Sequence, residues 1–227
     1  MAEPLPLILA SASPRRAALL KQAGIVPARI VAPEVDETPK KQELPRAYAL
    51  RLALAKADAV ARMFSRPQGE GGFIVLAADT VVACGRRILP KAEGPEEVAR
   101  CLKLLSGRRH QVFTAVAAAG PVDPPPFTGE VLAQRAEGAT ASTETKPPFK
   151  IRTRIVMTRV AFKVLTTREI ADYAASGEGE GKAGGYAIQG RAEAFVRFIN
   201  GSYSNVVGLP LYETVAMLEN WRIANSE

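Results

Sequence analysis

Phe73-Ile74-Val75-Leu76-Ala77-Ala78 constrains the fold more than any other stretch, because it is apolar throughout and shows no alternation. A strand without a polar face must be covered on both faces. The run therefore predicts an interior strand of a sheet with helices packed on either side. It ends at Asp79-Thr80. The carboxyl end of an interior strand is where open α/β sheets place their ligand crevices. A carboxylate beside a buried strand has to be paired, metal-bound or chemically employed, since an isolated buried charge is too costly. Asp79 is accordingly the first candidate site residue.

A second apolar run, Leu7-Ile8-Leu9-Ala10, stops at Ser11-Ala12-Ser13-Pro14-Arg15-Arg16. Ser13 suits an N-cap and Pro14 the first helical position, so a helix is expected over Pro14–Ala23, with Gly24 ending it. Two arginines in the first turn stand where the helix dipole is already positive, a placement that an anion would neutralise. Free backbone N–H groups, the Ser11 and Ser13 hydroxyls and the Arg15 and Arg16 guanidinium groups make a phosphate site; the plainer alternative is a solvated arginine pair.

Further along, Ala28–Ala32 reads as a short strand entering Pro33-Glu34-Val35-Asp36-Glu37-Thr38-Pro39. The carboxylates of Glu34, Asp36 and Glu37 are either a solvated loop or ligands for a hard divalent cation. Pro45–Phe64 is the clearest helix, with an expected buried stripe of Tyr48, Leu52, Ala55 and Ala59 beside Leu50, Leu54 and Ala57. Arg51 and Lys56 on it read as snorkelling surface residues. Ser65–Gly72 is a polar linker. Gly94-Pro95 opens another helix that Gly107 closes, and Lys91 just before it could reach a phosphate. His110 reads as a boundary residue of the strand Gln111–Ala119. That strand is expected to pair with the alternating Val160–Val164. Between them, Gly120–Lys150 holds prolines without periodicity, as a protruding hairpin or partly disordered insertion would.

Thr166-Thr167-Arg168-Glu169 is a capping box for a helix to about Ala175. The glycine-rich stretch Ser176–Gly190 spells Gly179-x-Gly181-x-x-Gly184, yet a helix precedes it and a strand-like Tyr186-Ala187-Ile188-Gln189 follows, the reverse of a dinucleotide fingerprint. It reads instead as a flexible loop whose backbone approaches a ligand, with Lys182 as its cation. Ala194–Ile199 is an expected strand, Asn200-Gly201 a tight turn, and Pro210 onward a terminal helix packing Leu211, Val215, Leu218 and Trp221.

Lys and Arg number 30 against 23 Asp and Glu, a net charge of +7 that favours anionic partners without choosing between nucleic acid and small phosphates. Cys84, Cys101 and His110 cannot supply a Cys/His zinc cluster, and the thiols read as small core residues in a reducing compartment. Neither a signal peptide nor a bilayer-spanning apolar stretch is found, so a cytoplasmic location without membrane contact is expected.

Taken together, the segments Ala10–Arg16, Ala78-Asp79-Thr80-Val81-Val82, Leu105-Ser106-Gly107 with His110-Gln111-Val112, Lys182–Gly190, and Asn200–Tyr203 followed by Val206–Pro210 resemble the Maf family of nucleoside triphosphate pyrophosphatases. The likeness runs in the family's order over nearly the whole chain, outside the Gly120–Lys150 insertion. It implies a Maf/ITPase-like α/β fold: a mixed, elongated β-sheet with flanking helices forming two lobes around a cleft, one domain over residues 1–227, usually homodimeric. It also implies Mg²⁺- or Mn²⁺-dependent hydrolysis of a nucleoside triphosphate to monophosphate and pyrophosphate, with Asp79 as catalytic acid/base. By the same resemblance Arg15, Thr80 and Gln189 bear on substrate choice, and Lys56, Lys91 and Lys182 line the cleft. The Tyr186–Gly190 form looks like the branch acting on dTTP and UTP; a sister branch prefers methylated guanine nucleotides. One departure is Ala92, where family members commonly carry proline.

The residues suit that chemistry. Asp79 can orient water, and Asp79 with Glu34, Asp36 or Glu37 can hold the ion. Ser11, Ser13, Arg15, Arg16, Lys56, Thr80, Lys91 and Lys182 can bind the triphosphate. The Gln189 carboxamide can read a pyrimidine edge bearing one acceptor and one N–H. The reading is therefore an enzyme that clears surplus or modified pyrimidine triphosphates. Its rivals are a purine triphosphate pyrophosphatase and a non-enzymatic nucleic-acid-binding regulator of division. The second lacks any recognisable nucleic-acid-binding module, with aromatics at only 6%.

Overall fold

Alternation along one long strand decides what each face of the molecule carries. The computed structural model describes residues 5–64, 72–121 and 149–219. In order these form β1 (Leu7–Ala10), α1 (Pro14–Gln22), β2 (Arg29–Val31), α2 (Pro45–Phe64), β3 (Ile74–Cys84), β4 (Arg87–Leu89) and α3 (Pro95–Leu105). There follow β5 (Arg109–Pro121), β6 (Phe149–Phe162), α4 (Thr167–Ala175), a 3-10 turn (Arg191–Phe195), β7 (Val196–Asn200), α5 (Tyr203–Val207) and α6 (Leu211–Leu218). The strands make one mixed sheet in the order β2-β1-β3-β5-β6-β7, with β4 paired to β3 outside that path. This is the mixed α/β sheet with flanking helices that the sequence implies.

β3 lies inside the sheet and buries both faces, as its apolar run requires. Ile74, Leu76, Ala78 and Val82 point to the core that α3 and α4 cover, whereas Val75, Ala77 and Val81 point to the core under α2. Period two therefore aims Asp79 toward α2 and Thr80 toward the other face. The strand does not stop at Asp79. β1 leaves it after Ala10↔Ala77, but β5 continues alongside through Asp79↔Ala115 and Thr80↔Thr114 as far as Ala83↔Gln111. A crevice opens where β1 turns into α1, at the carboxyl end of the parallel pair.

Several local signals appear as expected. Ser13 is extended and Pro14 opens α1, although the Ser13 side chain makes no cap bond. Gly24 closes that helix at φ +76°. The Thr166 capping box is complete, with Glu169 bonding back to Thr166 N–H. β5 and β6 do pair, from Arg109↔Ala161 to Pro121↔Phe149, but Val112–Ala119 meets Ile151–Thr158 rather than Val160–Val164, because β6 begins at Phe149 and ends at Phe162. Both strands reach into the expected Gly120–Lys150 boundaries. Residues 122–148, most of the 65–72 linker and Trp221 lie outside the described residues.

Other elements differ. The buried face of α2 is Ala49, Leu52, Ala53, Lys56, Ala57 and Val60, rotated from the expected stripe, and it takes Lys56 inward with it. Tyr186–Gln189 is not a strand, because Gly184 and Gly185, both at positive φ, turn the chain just before it. Ala194–Ile199 divides into the 3-10 turn and β7. His110 stands at the start of β5, as expected of a boundary residue, and is buried there. Cys101 is buried and Cys84 half-buried, both as free thiols. Among the described residues no helix is long and apolar enough to cross a membrane.

Candidate active site

A cavity of about 440 Å³ opens at the β1–β3 crevice, within the range that small-molecule ligands fill. The sequence-predicted Ser11, Ser13, Arg15, Arg16, Glu37, Lys56, Asp79, Thr80, Lys91, Lys182 and Gln189 all line it. The walls come from the β1–α1 turn, α2, β3, the β4–α3 loop and the glycine-rich segment.

At its floor Asp79 is buried and accepts a hydrogen bond from Lys56 Nζ on Oδ1 at 2.7 Å. The same ammonium lies 2.6 Å from Glu37 Oε1. Lys56 is therefore no snorkelling residue: its helical position drives it against the sheet, where two carboxylates neutralise it. Lys91 holds the second Glu37 oxygen. Burial pushes the Glu37 carboxyl up, but hydrogen bonds from Lys56 and Lys91 outweigh it and hold the pKa at about 2.

Of the three candidate acids, only Glu37 faces the cavity. Glu34 is exposed outside it. Asp36 is exposed and turns back, its Oδ1 accepting from Thr38 N–H at 2.9 Å in a local turn. The alternation of the extended Glu34–Glu37 segment and its anchors on α2 decide this. Tyr48 Oη donates to the Glu37 carbonyl at 2.5 Å. The Arg51 guanidinium forks onto the Glu43 carboxylate at 2.7 and 2.8 Å and donates to Thr38 O at 3.0 Å. Sequence reasoning left Tyr48 and Arg51 out of the site; only their partners, distant in sequence, reveal them.

The two arginines of the first α1 turn separate in role. Arg15 faces the cavity, where burial lowers its pKa. Arg16 reaches Gly208 O at 2.8 Å, Ser11 Oγ at 2.9 Å and Thr80 Oγ1 at 3.2 Å. Burial lowers its pKa and Asp79 partly offsets this. Thr80 Oγ1 is also 3.0 Å from Thr114 Oγ1.

Opposite, the glycine-rich segment is tied down rather than flexible. Gly181 N–H donates to Ala92 O at 2.7 Å, Ala92 N–H to Lys182 O at 3.2 Å, and Gly184 N–H to Pro90 O at 3.0 Å. Gly184 sits at φ +71°, and a Cβ there would lie 2.8 Å from Val82, so the backbone lies directly on β3. Lys182 extends into the cavity with its Nζ on Glu180 O at 2.9 Å. Burial and the nearby Arg15 lower its pKa. Gln189 is exposed at the cavity. The site thus places a carboxylate pair at one end, cations along two walls and a carboxamide at the rim.

A family model described as "Maf-like protein" matches residues 6–221. The chain belongs to the Maf family. Among curated relatives, a protein of Sphingopyxis alaskensis named dTTP/UTP pyrophosphatase is 52% identical, covering 94% of this chain and 95% of the relative. Proteins of the same name from a Chelativorans species and from Zymomonas mobilis are each 50% identical, over 96% and 97% of this chain and 92% and 94% of the relatives.

Proposed function

We propose that this Maf-family chain hydrolyses dTTP, UTP and modified pyrimidine triphosphates to the monophosphate and pyrophosphate, clearing the nucleotide pool. The carrying observation is the Asp79–Lys56–Glu37 array at one end of a cavity otherwise lined by Arg15, Lys91, Lys182 and Gln189. The names of the relatives point the same way.

The donor set fits a divalent ion. Glu37 and Asp79 offer oxygen only, and the Lys56 ammonium that bridges one oxygen of each shows that this carboxylate pair stabilises positive charge. Among the described residues no three His, Cys, Asp or Glu side chains could enclose a metal. That matches the habit of Mg²⁺, which takes one or two carboxylates and completes its shell with water and substrate phosphates. Glu37 and Asp79 would hold Mg²⁺ or Mn²⁺; when bound, the ion neutralises charge on the phosphate oxygens. The chain's own residues do the rest. Asp79 orients the water that attacks the α-phosphorus and takes its proton. Lys56 aims both carboxylates. Arg15, Lys91 and Lys182 hold the triphosphate and stabilise the charge that grows on the leaving pyrophosphate. Ser11 and Ser13 add hydroxyl donors beside them. Arg16 holds Ser11 and Thr80 in place. Gln189 reads the N–H and carbonyl of the pyrimidine edge.

Pyrophosphate release from a nucleoside triphosphate panel, with Mg²⁺ or Mn²⁺, tests this in wild type and Asp79→Asn. Turnover of dTTP and UTP is expected, with Asp79→Asn slower by about 10²- to 10⁴-fold. Turnover confined to guanine or inosine nucleotides would remove the pyrimidine assignment, and an unimpaired Asp79→Asn would remove the mechanism.

A further inference from the structure

Tyr186, Ala187, Ile188 and Gln189 line one wall of the cavity, and two phenols hold that wall. The Tyr186 hydroxyl shares a 2.8 Å hydrogen bond with His110 Nε2. Its ring stands edge-on to Phe162 at 5.0 Å and to His110 at 5.4 Å. His110 belongs to β5, the strand that pairs with Asp79 through Ala115. On the other side, Tyr173 of α4 accepts the Ala187 N–H on its hydroxyl at 3.0 Å and donates to Glu178 at 3.3 Å. The backbone closes the segment again, with Gly190 N–H on Ala187 O at 3.1 Å and Gly190 packed against the Glu178 carboxylate.

We propose that Tyr186 and Tyr173 are positioning residues for nucleobase selection. Their hydroxyls fix the Tyr186–Gly190 segment against the catalytic sheet and so set where the Gln189 carboxamide meets the base. This rests on the reading of Gln189 given above.

A phenylalanine ring would fill either aromatic cluster, but it would strip His110 Nε2 or the Ala187 N–H of its partner, so it is the hydroxyls that tie the wall to β5 and α4. Edge-on rings supply area but tolerate sliding; hydrogen bonds from a strand and a helix remove that freedom. Fixing matters because a glutamine carboxamide is ambiguous. Turned over, it presents its donor and acceptor in the reverse order and matches cytosine as well as thymine or uracil. Selection then depends on how the segment holds Gln189, not on the side chain alone.

The test uses the full chain. Steady-state kinetics on dTTP and dCTP are compared for wild type, Tyr173→Phe, Tyr186→Phe, Gln189→Ala and the Tyr186→Phe/Gln189→Ala pair, with thermal melting of each. Each tyrosine variant is expected to raise KM for dTTP about three- to tenfold while kcat changes by less than about twofold, the span of one lost neutral hydrogen bond. The dTTP-over-dCTP ratio of kcat/KM should fall toward that of Gln189→Ala, and the double variant should fall no further. An unchanged ratio in both tyrosine variants, beside a reduced one in Gln189→Ala, overturns the positioning role alone. So does an equal loss of kcat on both nucleotides. A wild-type ratio in Gln189→Ala, or a wild type that does not turn over dTTP, overturns the underlying reading as well. Tyr173→Phe carries the test if Tyr186→Phe does not fold.

Discussion

His110 is the chain's one histidine, and its surroundings give it a pH signature. Its ring is buried between Phe162 and Tyr186. Nε2 meets the Tyr186 hydroxyl, and Nδ1 finds no hydrogen-bond partner among the described residues. Desolvation lowers its pKa from 6.5 to about 4. The folded state thus refuses a proton that the unfolded chain accepts. Above pH 6.5 the two states agree and no stability is lost; as pH falls from 6.5 toward 4 the unfolded chain gains protons and folding weakens. At pH 5 this loss is about 2 kcal/mol. Glu37 and Glu169, held at about 2, act with the same sign but only as pH falls below 4.5. Urea unfolding at pH 7 and pH 5 separates the two. Wild type is expected to lose about 2 kcal/mol between them and His110→Phe almost none of it, whatever the variant's stability at pH 7. Equal losses would show that His110 is not the group responsible.

The glycine-rich segment is the element on which local reading and tertiary structure part. Glycine suggests freedom, yet Gly184 is used for close approach to Val82 at positive φ. Gly184→Ala is expected to cost about 2–3 kcal/mol from backbone strain and overlap. It should also lower kcat/KM, because Lys182 and Gln189 flank the displaced backbone; thermal melting and dTTP kinetics measure both. No run of neighbouring residues encodes that approach. What was legible in the sequence is what short range decides: the doubly buried β3, the Pro14 start of α1 and the Thr166 capping box. The candidate residues were legible because they cluster in recurring motifs, and one cavity gathers all of them except Glu34 and Asp36. The rest depends on partners far away in sequence. Lys56 reads as a surface lysine until Asp79 and Glu37 meet it. Choosing Glu37 from three acids needs Tyr48 and Arg51 on α2. α5 is too short to show a helical period; the Ser202 hydroxyl accepting Asn205 N–H marks its start. Arg51→Ala would free the segment that presents Glu37. It is expected to lower kcat/KM, to raise the metal concentration needed for half-maximal rate and to lower Tm by about 2–4 °C, because it also removes a bidentate pair with the largely covered Glu43 carboxylate.

Across the whole molecule, Arg16 joins parts that the chain order keeps far apart. From the first turn of α1 it reaches the end of β1 through Ser11, the middle of β3 through Thr80 and the carbonyl of Gly208 beyond α5. Thr80 extends the connection to Thr114 of β5, which donates to Asn205 O in α5. One guanidinium thus braces both ends of the crevice at the point where β1 abandons β3. Only a planar fork can serve three acceptors in these directions, so Arg16→Lys preserves the charge and loses the brace. Leaving two partly buried acceptors without a charged donor costs about 3 kcal/mol. For a chain of this size that is a fall in Tm of about 6–12 °C. The same substitution is expected to reduce kcat/KM for every nucleotide while leaving the dTTP-over-dCTP ratio near the wild-type value, since the Tyr186–Gln189 wall hangs from different anchors. A Tm within about 2 °C of wild type would show that water replaces the guanidinium bonds at little cost. A collapsed ratio would show instead that the phosphate and base ends of the cavity are set by one shared brace.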